Sequence, residues 1–353
     1  MSGIIGHSMY ALLGLKAAAH RKLPLVPIAQ RHIPSYLAGA YIGCDIQTMP
    51  EAICVDTGRD VGYGTVPLTK SPITGGAVKP WTLKSGGRDY TPREIHELFY
   101  GRAHLVFGWS KADRENTVPW DHLPDYFADV FEDTMELFGN EERSLAYVLG
   151  WMAHVVSDSL IKSIHEGIDL HLLDGKYTPR NRPIQDLVTY HEIGIKELRL
   201  DWPKLFLDLS STPVEPVQIH YMRIANPSGR LSKLFTNAWQ PEKRELLQAV
   251  LTENRRWCRF HAEDVVKDMQ LVRNADGKRD CNESIRQGVG LHYDQMVELA
   301  DKAGFRHALW QMGEAVAQML ADTVKRSPRL ARMPVSGDKG DWEELARKWK
   351  RKS

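Results

Sequence analysis

The segment AYVLGWMAHVVSDSLIKSIHEG, residues 146–167, is mostly apolar, yet it contains His154, Asp158 and His165. Residues four apart lie on nearly the same face of an α-helix, so His154 and Asp158 are predicted to point in one direction from successive turns. A His/Asp pair at this spacing also fits a simple hydrogen-bonded pair. Burying a carboxylate is costly, however, and a cation offsets that cost better than apolar packing does. The segment therefore predicts a buried helix that offers two ligands to a metal ion.

His165 raises a geometric problem for this helix. In an unbroken helix it would lie about 16 Å from His154 along the axis, at roughly 1.5 Å per residue. One ion cannot be bound from both ends of that span. Either the helix is distorted between Asp158 and His165, or the site contains more than one ion in a row.

Four other polar residues occur in similarly apolar surroundings. His7 lies in IIGHSMYALL, Asp45 follows YLAGAYIGC, His104 lies in YGRAHLVFGW and His191 lies in DLVTYHEIGI. Taken singly, each fits an ordinary core residue. Taken together in one chain, they predict a shared polar centre whose imidazole nitrogens and carboxylate oxygens suit zinc.

Helical periodicity dominates the chain and predicts a mainly α fold. The clearest departure is the stretch 62–94, rich in Gly, Pro, Ser and Lys, which is predicted to be a long loop or hairpin excursion. We divide the chain into a metal-binding helical part, 1–200, and a C-terminal helical part, 201–353, packed on the first. The predicted helices span residues 4–20, 34–43, 93–107, 124–138, 142–165, 184–199, 241–270, 283–303 and 306–325.

The composition limits the function classes. Of 353 residues 42% are hydrophobic, and 46 basic against 45 acidic side chains give a net charge of +1, which argues against a broad nucleic-acid footprint. No uninterrupted apolar run approaches the roughly 18 residues of a transmembrane segment, and the N-terminus lacks the basic region of a signal peptide. The four cysteines form no Cys-x-x-Cys pair. We therefore expect reduced thiols and a cytoplasmic protein.

The order of these residues resembles that of the zinc-dependent phospholipase C family, whose superfamily also contains the fungal single-strand-specific nucleases. GHSMYALLGLKAA is similar to the first ligand helix of the family and assigns His7 as a ligand. LAGAYIGCDIQTMP resembles the segment that ends in the family's Pro-Asp ligand, with Asp45 in that place and Cys44 where proline is usual. RAHLVFGW resembles the next segment and assigns His104 rather than His96.

The closest similarity is between AYVLGWMAHVVSDSLIKSIH and the family pattern YLGxxxHYxxDxxxPxH. It assigns His154, Asp158 and His165, although the spacing from Asp158 to His165 is one residue longer and the proline is missing. The resemblance covers about residues 3–200, and its motifs are specific in order while overall identity is low.

The last family motif, His-x-x-x-Glu, resembles YHEIGIKEL. His191 takes the histidine position, but Ile195 stands where the glutamate is expected. Three nearby carboxylates are alternatives for the missing ligand: Glu192, Glu197 and Asp186. The secreted enzymes also bind one zinc through a processed N-terminal tryptophan, whereas this chain begins MSGIIG, so the expected number of zinc ions is two or three.

The resemblance implies a multi-helix, metal-centred bundle that hydrolyses a phosphodiester. His154, Asp158, His165 and His191 would hold metal, with Asp158 as a candidate bridge, and Asp45 would be both ligand and general base. Zinc ions activate a water for in-line displacement at phosphorus, so a P–O bond is cleaved. Phospholipid and small organic phosphodiesters are the first expected substrates, and single-stranded nucleic acid is the second.

Two alternatives stay open at this stage. The same His/Asp centre fits a helical iron-dependent oxidase, because the expected glutamate is missing. A non-enzymatic helical binding protein with purely structural histidines is the other alternative. The sequence leaves the oligomeric state open.

Overall fold

A computed structural model describes residues 3–41, 49–61, 70–71, 74–104, 118–139, 141–161, 181–223 and 243–335. Helices dominate these ranges, which confirms the mainly α prediction. The α-helices are α1 Ile4–His20, α2 Val26–Arg31, α3 Ile33–Ala40, α4 Pro92–His104, α5 Leu123–Leu137, α6 Glu142–Ile161, α7 Asn181–Val188, α8 Trp202–Ser210, α9 Pro216–Arg223, α10 Lys243–Asp268, α11 Glu283–Val289, α12 Tyr293–Lys302, α13 Phe305–Arg326 and α14 Pro328–Ala331. A 3-10 turn, Trp120–His122, precedes α5, and a π-helix, Thr189–Glu197, follows α7.

The strands are short and form only two-stranded antiparallel sheets within the described ranges. The first pair is β1 Ala52–Cys54 with β2 Val78–Pro80, in the register Ile53 to Lys79. The second is β3 Leu83–Ser85 with β4 Arg88–Tyr90, and the third is β5 Val272–Arg273 with β6 Arg279–Asp280. The β3–β4 hairpin lies inside the excursion predicted for residues 62–94.

Helix α6 is the centre of the core. Every residue from Ser144 to Leu160 is buried, so the helix is covered on all sides by α1, α2, α3, α5 and α13. A helix that is apolar all round is expected to be enclosed in this way. Among the described residues it is also the one helix long and apolar enough to cross a membrane by length and composition alone. This is weak evidence for a membrane span, because an enclosed core helix passes the same test.

Glycines allow the central helices to approach closely. A β-carbon on Gly150 of α6 would overlap the Tyr36 carbonyl oxygen, and one on Gly39 of α3 would overlap the Tyr147 carbonyl oxygen. The two helices therefore cross in backbone contact, which other residues at these two positions would prevent. The crossing lies one helical turn before His154.

Helix α13 joins the C-terminal part of the chain to α1 through a second close crossing. A β-carbon on Gly313 would lie 2.8 Å from backbone atoms of Leu13, and one on Gly14 would lie 2.6 Å from the Val316 side chain. The segment beyond residue 200 thus packs on the first part, although the division into two parts at residue 200 stays a prediction.

Two predicted helices differ from the observed ones. The predicted helix 283–303 is broken at Gly290, whose φ of 79° ends α11 in a left-handed cap. The predicted helix 184–199 begins as α7 but continues as the π-helix. There the Trp202 ring packs over Gly194, and its Nε1 donates to the Tyr190 carbonyl at 3.0 Å. This tertiary donor satisfies a carbonyl in the altered turn geometry.

Glu142, the first residue of α6, has a carboxylate with a low pKa that binds the end of α2. Arg31 donates to Glu142 through Nε at 2.9 Å and Nη2 at 2.5 Å, and His32 Nε2 lies 2.9 Å from the same carboxylate. The hydrogen bonds from Arg31 lower the pKa of Glu142 to about 2, against the opposing effect of partial burial. The contact connects the end of α2 to the first turn of α6.

We expect Glu142→Gln to lower the free energy of unfolding by about 1 kcal/mol near neutral pH, because the side chain is 36% exposed and solvent screens the pair. The folded-state pKa lies below the unfolded one, so the stabilisation is complete above the unfolded pKa and is lost as pH falls from about 4.5 toward about 2. Urea unfolding of both proteins from about pH 7 to about pH 3 tests this. A difference between them that is independent of pH would show that the charge contributes nothing.

Candidate metal centre

Three polar side chains meet inside the apolar core where α1 passes α6. His7 lies in the first turn of α1, and His154 and Asp158 lie one turn apart on α6, as their spacing predicts. Their exposed fractions are 2%, 2% and 0%. One ligand atom from each lies within 4.8 Å of the others, and the described ranges contain no other such group of three or more His, Cys, Asp or Glu side chains.

The carboxylate of Asp158 lies between the two imidazoles. Its Oδ1 is 3.6 Å from His7 Nε2, and its Oδ2 is 3.5 Å from His154 Nε2. Direct N–H···O hydrogen bonds measure 2.7–3.2 Å, and those to charged groups are shorter still. Both separations are therefore longer than a direct hydrogen bond, although they lie within the 4 Å range of an ion pair.

These separations also fit the ligand shell of a small cation. Two ligands about 2.0–2.1 Å from a tetrahedral zinc ion lie about 3.3 Å from each other. Histidine nitrogen and aspartate oxygen are also ligand atoms that zinc binds in proteins. The types of ligand atom and the distances between them are thus compatible with a zinc site.

A backbone carbonyl of α3 determines which ring nitrogen of His154 carries a hydrogen. His154 Nδ1 lies 2.8 Å from the carbonyl oxygen of Ala40. A carbonyl can only accept, so Nδ1 carries a hydrogen, and in the neutral form of the ring the lone pair is on Nε2, which faces Asp158. Metal-binding histidines commonly donate their second nitrogen in this way, which fixes both tautomer and ring orientation.

The ring of His7 is held by aromatic contacts. It stacks on the His154 ring, with centroids 4.3 Å apart and an angle of 20° between the planes. Tyr10 meets its edge at 5.9 Å and Tyr41 lies 6.1 Å away. Two imidazolium ions stacked in this way would repel each other, so the contact disfavours protonation of both rings at once. Neutral imidazole is also the form that binds metal.

The structure thus brings together three of the seven residues that the sequence predicts as ligands. Asp45 and His165 lie outside the described residues, so the predicted catalytic role of Asp45 and the break before His165 stay predictions. His104 is the last residue of α4, and its side chain also lies outside the described part.

His191 has a different neighbourhood from the one predicted. It lies in the π-helix, where its Nε2 donates to the Met269 carbonyl at 2.7 Å and its ring meets Tyr293 edge-on at 5.6 Å. Burial lowers the pKa of His191, which favours the neutral ring. Within the described ranges it does not join the ligand group of His7, His154 and Asp158.

The three carboxylates considered in place of a glutamate at position 195 also have other partners. Glu192 accepts from Lys196 Nζ at 2.5 Å and from the Tyr293 hydroxyl at 2.5 Å. Burial acts to raise the pKa of Glu192, but these hydrogen bonds lower it overall. Glu197 pairs with Arg306 at 2.8 Å, and Asp186 pairs with Arg182 at 3.5 Å.

Sequence reasoning missed two groups that the structure reveals. The Ala40 carbonyl is a backbone atom, and its only sequence signal is the neighbouring Gly39 that permits the crossing. The buried Asp280 carboxylate lies 2.5 Å from His292 Nδ1 and accepts from the Tyr293 backbone N–H at 2.9 Å. No local motif connects Asp280 on a hairpin with the start of α12, so this pair had no signal in the sequence.

Comparison with known proteins adds no relative. No protein-family model matches the chain, and neither a curated protein nor a solved structure matches it.

Proposed function

We propose that this chain is a zinc-dependent hydrolase that cleaves a phosphodiester. The observation that carries the proposal is the buried group of His7, His154 and Asp158, whose ligand atoms converge inside the core. Burying this carboxylate without a cation costs desolvation free energy, and the spacing of the ligand atoms suits zinc. The order of the predicted ligands along the chain supports phosphodiester hydrolysis as the chemistry.

Each described residue has a defined task in this proposal. His7 and His154 supply neutral nitrogens, and Asp158 supplies the negative charge that partly balances the cation. The Ala40 carbonyl holds His154 in the tautomer that leaves Nε2 available. The surrounding apolar side chains exclude bulk water, which strengthens the electrostatic attraction of the carboxylate for a cation. A bound zinc ion would supply a water of lowered pKa and stabilise negative charge on phosphate oxygens.

The substrate class follows from the resemblance and the charge. Phospholipid and small organic phosphodiesters are the preferred proposed substrates, because the net charge of +1 provides no broad basic surface for a nucleic acid. Single-stranded nucleic acid comes second. Asp45 is the proposed general base.

The donor set also favours a second candidate. Two histidines and one carboxylate are the ligands of non-haem Fe(II) oxygenases. An oxidase of helical type is therefore the alternative chemistry for the same three residues, and the bound metal separates the two candidates.

The test combines elemental analysis with a hydrolysis assay. Protein purified without added metal is expected to contain at least one zinc per chain and to hydrolyse a chromogenic phosphodiester. A chelator should abolish turnover, and zinc should restore it. Parallel assays with phosphatidylcholine vesicles and single-stranded DNA rank the two substrate classes.

Matched histidine variants assign the activity to the site. His154→Ala is expected to lower turnover by about 100-fold or more, whereas His307→Ala, at an exposed position of α13, should leave it unchanged. Iron in place of zinc would support the oxidase. Hydrolysis that persists in metal-free protein would reject the proposal.

A further inference from the structure

Helix α3 forms hydrogen bonds with both helices that carry the candidate histidine ligands, α1 and α6. Tyr36 and Ala40 lie one turn apart on α3. The Tyr36 hydroxyl donates to the Ala11 carbonyl of α1 at 2.7 Å, and the Ala40 carbonyl accepts from His154 of α6 at 2.8 Å. Ala11 in turn lies one turn after His7.

The hydroxyl of Tyr36 is placed to act on α1 rather than on solvent. The side chain is 1% exposed, so the hydroxyl needs a protein partner. Burial raises the pKa of Tyr36, which keeps the phenol neutral and able to donate. The backbone of the same residue lies against Gly150, so the position of the ring is fixed by the crossing of α3 and α6.

We propose that Tyr36 is a positioning residue of the metal centre: its hydroxyl fixes α1 relative to α3, and so sets His7 at the distance from Asp158 and His154 that a shared cation requires. The His7 ligand comes from a helix separate from the other two, so its placement depends on how α1 sits against α3 and α6. The bond from Tyr36 to Ala11 is a buried polar link that fixes this placement one turn from the ligand.

This inference rests on the proposed metal site, and it differs from a purely structural role. If the hydroxyl only stabilised the fold, its removal would lower the unfolding midpoint without altering the bound ion. If it positions His7, its removal also alters the coordination of the ion. Metal affinity and the spectrum of a bound probe metal separate the two roles.

The experiment compares Tyr36→Phe with Thr134→Val in the full chain. Thr134 is also fully buried, and its hydroxyl donates to the Val130 carbonyl within α5. Both variants remove one buried hydroxyl and keep the shape of the side chain, so both should fold. Zinc affinity is measured by competition with a chromophoric chelator, and visible absorption is recorded on Co²⁺-loaded protein.

Tyr36→Phe is expected to weaken zinc binding by about tenfold and to change the Co²⁺ absorption bands. Thr134→Val should match the wild type in both measurements. Equal affinity and equal spectra for Tyr36→Phe and the wild type would overturn the positioning role and leave the proposed function standing. A wild-type protein that binds neither ion would overturn both.

Discussion

Replacing Asp158 with asparagine is expected to weaken zinc binding by at least about 100-fold, and to remove hydrolysis with it. The carboxylate lies 3.6 Å from His7 Nε2 and 3.5 Å from His154 Nε2, so it is the group that both imidazoles approach. Asparagine keeps the shape but removes the negative charge that attracts a cation into the apolar core. Isothermal titration of the metal-stripped proteins with zinc measures the difference.

Asp280→Asn is the matched control. Asp280 is also buried and also faces a histidine, His292, but belongs to the β5–β6 hairpin. We expect this variant to be less stable and to bind zinc as tightly as the wild type. Equal zinc affinities for Asp158→Asn and the wild type would remove Asp158 from the site.

Substituting Gly150 with alanine is expected to lower the free energy of unfolding by about 3 kcal/mol or more. The added β-carbon would overlap the Tyr36 carbonyl oxygen, which belongs to a backbone and cannot turn aside. The helices α3 and α6 must then separate, and this movement also takes His154 away from the Ala40 carbonyl. Urea unfolding measures the loss of stability.

For Gly288→Ala we expect the opposite change in the free energy of unfolding. Gly288 lies in α11 with no atom within 4 Å of an added β-carbon. Its replacement should raise stability by up to about 1 kcal/mol, because alanine is a better helix former. If Gly150→Ala were as stable as Gly288→Ala, the close crossing of α3 and α6 would be wrong.

The sequence predicted the part of the site that depends on local geometry. Four-residue spacing and an apolar setting were sufficient to place His154 and Asp158 together on a buried helix. His7 was predicted from its apolar surroundings and from the order of the motifs. The structure brings these three together because α1 and α6, both apolar on nearly all sides, are enclosed in one core.

The rest depends on contacts that local patterns do not contain. The π-helix at Thr189–Glu197 forms where Trp202, Tyr190 and Gly194 meet, and periodicity alone predicts an ordinary helix there. His191 was expected at the metal centre from its apolar surroundings and its place in the motif order, whereas its Nε2 donates to the Met269 carbonyl. The contact between Ala40 and His154 requires the crossing of two helices that are far apart in sequence.

A zinc-edge anomalous difference map from crystals of the zinc-loaded protein would locate the ion among the three side chains. We expect a peak about 2.0–2.2 Å from Nε2 of His7, Nε2 of His154 and a carboxylate oxygen of Asp158. If zinc-saturated crystals showed no peak at these three side chains, or showed peaks only elsewhere, the proposed zinc site would be contradicted.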